Sequence, residues 1–138
     1  MSALGLSAAG VLADIHDALD GAADLRELLG DPVRVFDAPP AGVDYPYVTY
    51  GDLATEARDA DGPGVRRAHR LTLHLWSRGG RLDVLRHLAR IQQVLERDLP
   101  HTVVTLALDA FAAASGGRTR PNTRHGVLRL SIITETPQ

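Results

Sequence analysis

The segment HRLTLHLWSRGG, His69 to Gly80, constrains the fold more than any other stretch of the chain. Leu71, Leu73 and Leu75 alternate with Arg70, Thr72, His74 and Trp76. Successive side chains of a strand point to opposite faces, so the pattern predicts a strand with one face in apolar packing. A slip of one residue would move every leucine into solvent, which pins the register. The other face carries the sole tryptophan, a histidine and an arginine, none of which a merely solvated face requires. Gly79-Gly80 ends the strand.

What covers the leucine face is predicted from two helical stripes. RLDVLRHLARIQQVLERDL is the clearest helix, with Leu82, Leu85, Leu88, Ala89, Gln92, Leu95 and Leu99 predicted on one face and Ile91 beside them. Arg81, Arg86, Arg90 and Arg97 face away, and Pro100 stops the helix. From Ser7 to about Leu19, Val11, Leu12, Ile15, Ala18 and Leu19 recur at helical spacing, with Ser7 as N-cap and Gly21 as breaker. Ala22 to Leu29 reads as a further turn or short helix ending at Gly30, with Pro32 just beyond.

Four more segments read as strands. They are VRVFDA (Val33 to Ala38), YPYVTYG (Tyr45 to Gly51), HTVVTLALDAFAA (His101 to Ala113) and HGVLRLSIITET (His125 to Thr136). Pro46 puts the second of these at an edge or a strand start. Leu128, Leu130 and Ile132 form the apolar stripe of the last. The polar stretch ATEARDADGPGVRR predicts a long exposed loop or the tip of an extended hairpin, and its part from about Arg58 to Val65 is expected to be mobile until it meets a partner. ASGGRTRPNTR is a second Gly- and Arg-rich loop. The order α-β-β-β-α-β-β predicts an α+β fold in a single domain over residues 1–138. Its antiparallel sheet of about four to five strands carries two helices on one face. The leucine face meets the helices, and the face with Arg70, His74 and Trp76 is left for solvent or another protein.

Composition narrows the function classes. A length of 138 residues with 44% hydrophobic content suits an ordinary globular domain. With no cysteine, disulfides and thiolate chemistry are excluded. A net charge of −2 argues against a bulk-charge nucleic-acid binder. No apolar run reaches the roughly 20 residues of a membrane span. The apolar N-terminal stretch lacks a basic region and carries Asp14, Asp17 and Asp20, so a signal peptide is not expected and a cytosolic product is. All 15 basic residues are arginine, with no lysine, which reads as the codon bias of a GC-rich genome.

The candidates for chemistry are few. His69 and His74 fall on opposite faces of one strand, and His87 has no His or carboxylate four residues on, so no metal site is expected. His16, His101 and His125 add no ligand pattern. Gly62-Pro63-Gly64 and Gly116-Gly117 lack the spacing and the lysine of a phosphate loop, and Ser77 and Ser115 stand in no nucleophile elbow. Asp14, Asp17, Asp20 and Asp24 read as a solvated helix face. No catalytic residue, cofactor or metal is expected. The charged groups are more informative. Arg66, Arg67 and Arg70 flank one loop, Arg118, Arg120 and Arg124 fill the other, and Asp52, Glu56, Asp59 and Asp61 precede the first group. Opposite charges on separate loops suit head-to-tail pairing between copies of one chain.

RVFDAPP (Arg34 to Pro40), YPYVTYGD (Tyr45 to Asp52), HRLTLHLWSRGG, the helix after it and RHGVLRLSIITE (Arg124 to Glu135) occur together, in order, over nearly the whole chain. In these marks the chain resembles the small tail-completion, or tail-terminator, proteins of long-tailed phages and gene transfer agents. The resemblance implies a structural, non-enzymatic protein of a virion or phage-like particle, made in the bacterial cytoplasm and free of membrane. It implies a ring, usually of six copies, that caps the tail tube, ends its polymerisation and joins it to a head-side connector or stopper protein. DNA would pass through the lumen without specific binding, which the net charge of −2 suits. The expected interface residues are Arg58, Asp59, Asp61, Arg66, Arg67, Arg70, His74, Trp76, Arg118 and Arg120. Trp76 is expected to be partly exposed in the isolated chain. A different class stays open: a small α+β ligand-binding or enzymatic domain with its pocket on the open sheet face around Trp76.

Overall fold

A computed structural model describes residues 7–58, 65–112 and 123–136. Asp59, Asp61, Arg118 and Arg120, and with them the expected loop mobility, lie outside the described residues, as does the side chain of Arg58.

Helices α1 (Ala8–Gly21) and α2 (Ala23–Leu29) lead into a short strand β1 (Val35–Phe36). A long hairpin follows, β2 (Tyr47–Arg58) and β3 (Val65–Ser77). Helix α3 (Arg81–Asp98) then leads to β4 (Thr102–Ala112) and β5 (Arg124–Thr136). The strands form one sheet in the order β1-β2-β3-β5-β4. All pairs are antiparallel except β1 with β2. This corrects the expected antiparallel sheet. The chain runs from β1 through the loop after it back to the start of β2, so the two strands point the same way. The helices number three among the described residues, because Ala23–Leu29 closes as a helix rather than a turn.

The Ser7 hydroxyl accepts from the Gly10 amide at 3.1 Å and caps α1, as predicted. Val11, Ile15 and Leu19 of α1, and Leu25 and Leu29 of α2, are buried. The Asp20 carboxylate accepts from the Val33 amide at 3.1 Å, and the Arg26 guanidinium donates to the Asp20 carbonyl at 2.9 Å. Gly30 ends α2 at φ +91, where a side chain would be strained.

The leucine stripe of β3 lies where the alternation puts it. Leu71 stands opposite Leu130 and Leu73 opposite Leu128, and all are buried in one core with the helices. The apolar face of α3 differs from the predicted one. Val84, Leu88, Ile91, Val94 and Leu95 point inward, while Leu82 is 60% exposed. The valines set the phase of the helix. Placing Val84, Leu88, Ile91 and Leu95 at i, i+4, i+7 and i+11 buries four branched aliphatics, and Leu82 then falls outside the stripe. Close helix–sheet approach is possible because β5 has Gly126 under α3. A Cβ there would come within 2.8 Å of Val84 and 2.9 Å of Leu88.

Strand β2 runs seven residues past its predicted end at Gly51, through a register shift between Tyr50 and Leu53. The polar stretch TEAR therefore pairs with the start of β3, as the extended-hairpin reading allows. Polar residues fit there because Thr55, Glu56 and Ala57 are exposed on this edge of the hairpin, while Ala68 and His69 opposite them are buried.

Candidate interface on the open sheet face

The three helices lie on the leucine face of the sheet. The opposite face of β3 presents Arg70, Thr72, His74 and Trp76, from half-buried to exposed. Cross-strand register gathers aromatic rings beside Trp76. Tyr47 of β2 stands opposite Trp76, Trp76 opposite His125 of β5, and His125 opposite Phe111 of β4. The Trp76 and His125 rings lie parallel within 2° at 4.2 Å. Tyr47 lies 6.5 Å from Trp76, and Phe111 6.0 Å from His125. Offset and tilted ring pairs at such separations attract one another. The row continues to Tyr45, 5.3 Å from Tyr47, with the Arg78 guanidinium 4.5 Å over the Tyr45 ring.

Polar contacts hold the row in place. The indole Nε1 of Trp76 donates to the Thr49 hydroxyl at 3.1 Å. His74 Nδ1 and His125 Nε2 share a hydrogen bond of 2.7 Å. Phe111, at 47% exposure, ends the row on the edge strand β4, which also exposes Leu106 at 53% and Val104 at 43%. An apolar group of this kind on an edge strand is what monomeric proteins avoid and interfaces use.

The expected site residues separate into two groups. His74 and Trp76 belong to the aromatic row. Arg70 lies six residues from Trp76, roughly 20 Å along the strand at about 3.3 Å per residue. Arg66 and Arg70 were expected to pair between copies, but both have partners in their own chain. Arg66 meets Glu135 at 3.2 Å and Arg70 meets Glu56 at 3.4 Å. These are surface pairs, worth about 1 kcal/mol or less. Register places Glu135 and Glu56 beside these arginines, which spacing along the sequence does not show. Arg67 falls on the opposite face from Arg66 by alternation. Tyr47, His125 and Phe111 were not among the expected interface residues. They lie on three different strands, and only the pairing partners of Trp76 would have found them.

The remaining histidines serve structure. His69 is fully buried on the leucine face and bonds Thr55 at 2.9 Å and Thr134 at 3.0 Å. His101 meets Asp14 at 3.1 Å and ties the start of β4 to α1. The Tyr50 hydroxyl and His16 Nδ1 lie 3.2 Å apart, joining β2 to α1. Burial, with Asp17 and Asp37 nearby, raises Tyr50 far above the usual phenol range, so it stays a neutral hydroxyl. A cleft of about 390 Å³ lies beyond the end of the row, lined by Pro39, Pro40, Gly42, Val43, Asp44, Tyr45, Tyr47 and Arg78. Trp76 is not among its walls. Among the described residues no helix is long and apolar enough to cross a membrane.

Burial, then the nearby Arg129 guanidinium, push His74 below the usual imidazole value, with Asp52 opposing. Burial, then His74, lower His125. Burial also lowers His87, with Asp83 opposing and Arg90 adding to the shift. A histidine depressed in the folded state binds fewer protons folded than unfolded. Its contribution to stability is whole above the unfolded value of 6.5 and is lost as pH falls below it. The melting temperature is therefore expected to hold from neutral to mildly alkaline pH and to fall on acidification below about 6.5. Thermal unfolding across a pH series checks this, and a melting temperature that rises on acidification would contradict it.

The family model described as tail completion protein gp17 matches residues 13–135. The chain belongs to that tail-completion family. Membership makes it a structural protein of a phage-type tail rather than an enzyme, and its location is the phage-like particle. None of the curated proteins matches this tail-completion protein. Among solved structures, a chain of the virion of a native gene transfer agent particle is similar at 22% identity. The TM-score is 0.71, over 94% of this chain and 98% of that one. At that identity the likeness is one of fold.

Proposed function

We propose that the tail-completion protein forms a ring of six copies on the last ring of the tail tube. There it ends tube polymerisation and presents a surface to a head-side connector or stopper. One observation carries this reading: an aromatic row with a partly buried Trp76 and an exposed Phe111, on a sheet face that the chain's own helices leave uncovered. Tryptophan and arginine are the residue types enriched where protein surfaces bind most strongly. His74 and Trp76 form the centre of the contact. Arg58, Arg66 and Arg70, with Asp59, Asp61, Arg118 and Arg120 of the loops, form its charged border. The face and the β4 edge are different surfaces, so contacts between copies are heterologous and close into a cycle. DNA passes through the lumen with little affinity, because every phosphate neutralised by an arginine would slow its passage.

The test is tube growth. Purified tube protein is polymerised in the presence of the tail-completion protein. Growth is expected to stop, with shorter tubes as its concentration rises. Tubes that keep the same length distribution would overturn the reading.

A further inference from the structure

The hydrogen bond between His74 and His125 is a place where protons can change the open face. Its nitrogens are 2.7 Å apart and its ring centroids 4.8 Å apart, with planes inclined by 24°. Those distances arise when the two nitrogens point at each other, so this is an in-line N–H···N bond. Such a bond needs one proton between two nitrogens. Each neutral imidazole supplies one N–H and one lone pair, so a neutral pair can make it.

We propose that His74 and His125 form a two-proton latch that holds the aromatic row of the tail-completion protein closed at neutral pH and opens it in acid. The first added proton leaves the bond in place. The protonated ring donates across the bridge, while the neutral ring accepts there and keeps its own proton on its far nitrogen. The second proton breaks the bond, because both bridging nitrogens then carry hydrogen and both rings carry positive charge. His125 is the ring on which Trp76 lies parallel at 4.2 Å, so parting the pair disturbs the tryptophan directly.

The groups around the pair set its sensitivity. From β2, Asp52 favours the charged form of His74, and the far nitrogen of His74 lies over Gly51, where an added Cβ would come within 2.6 Å. From β5, Arg129 disfavours the charged form of His74. From β3, the Trp76 ring faces His125, and an imidazolium on an indole face is favourable, which admits the first proton. From β4, Phe111 is the ring beside His125, and Asp109 stands opposite Val127, the residue after next on β5. Two coupled sites release and bind protons in two macroscopic steps, the second delayed by the charge of the first. The link to assembly rests on the proposed ring, since the latch acts on the face assigned to its contacts.

The test uses the free protein and so stands apart from assembly. Trp76 is the sole tryptophan, and its fluorescence reports the stack. On titration from about pH 7.5 to about pH 4.5, which covers the ordinary range of imidazole, emission is expected to change in two steps. It is quenched as the first imidazolium forms and shifts to the red as the stack opens. His74→Asn keeps a hydrogen-bond partner for His125 but removes one proton site, and a single step is expected. A second measurement needs no variant: nitrogen chemical shifts of the imidazoles at neutral pH should show one bridging nitrogen protonated and the other bare. A single step in the wild type that His74→Asn leaves unchanged would overturn the latch, as would two bare bridging nitrogens. Loss of both steps with normal tube capping would overturn the latch alone and leave the proposed function standing.

Discussion

Trp76→Ala is expected to weaken ring assembly by about 2 kcal/mol or more, roughly 30-fold, while the chain still folds. Trp76 points away from the core that Leu71, Leu73 and Leu75 enter from the same strand. Its loss leaves no cavity under the helices. It removes the ring that lies parallel to His125 and frees the Thr49 hydroxyl, which can turn to water. The fold therefore loses an aromatic contact of about 1 kcal/mol. Assembly loses the largest side chain of the face. Sedimentation of the variant with a thermal melt in parallel separates the two effects. Normal assembly with lost stability would show that Trp76 serves the fold alone, and normal assembly with normal stability would show that it anchors neither. Trp76→Phe should recover part of the loss.

Leu88→Ala is expected to cost about 2–5 kcal/mol of stability, enough to unfold a large fraction of the molecules of a marginal domain. Leu88 is 1% exposed and lies on Gly126, the one point where β5 offers no side chain. Truncation opens a cavity that a glycine cannot fill from below, and α3 is held by Val84, Ile91 and Leu95 on either side. Collapse is therefore limited, and the cost belongs toward the upper half of the range. Leu82→Ala is the internal comparison. That side chain is 60% exposed, and its loss is expected to change stability by about 0.5 kcal/mol or less. Urea unfolding of both variants checks the pair. Equal costs would contradict the helix phase seen here.

That pair also shows how far the sequence could be read. Periodicity identifies α3 and its ends, but a helix so rich in leucine has more apolar positions than one face can hold. Choosing among them needs the sheet beneath, and Gly126 decides it. The leucine half of β3, from His69 to Ser77, was legible because strict alternation leaves one choice of face, while its first residues from Val65 were read with the polar loop. Strand β2 was legible only in its apolar half, since the polar residues of the hairpin carry no periodic signal. The parallel pairing of β1 depends on where a loop returns, which is a long-range property. At the candidate interface, Trp76 and His74 stood out by being costly to expose. Tyr47, His125 and Phe111 are ordinary in their own strands and acquire meaning only through register. Spacing along the chain also hid that Glu56 and Glu135 neutralise arginines expected to reach a neighbour.

The central claim is that copies of this tail-completion protein close into a ring on the tube through the open sheet face. Electron microscopy of tail tubes with the bound protein, at a resolution that shows side chains, tests it most directly. The expected density is a six-fold ring at one end of the tube, with Trp76 and Phe111 of each copy covered by a neighbouring copy or by tube protein. A ring whose open sheet faces stand free in solvent, or tube ends that bind single scattered copies, would contradict it.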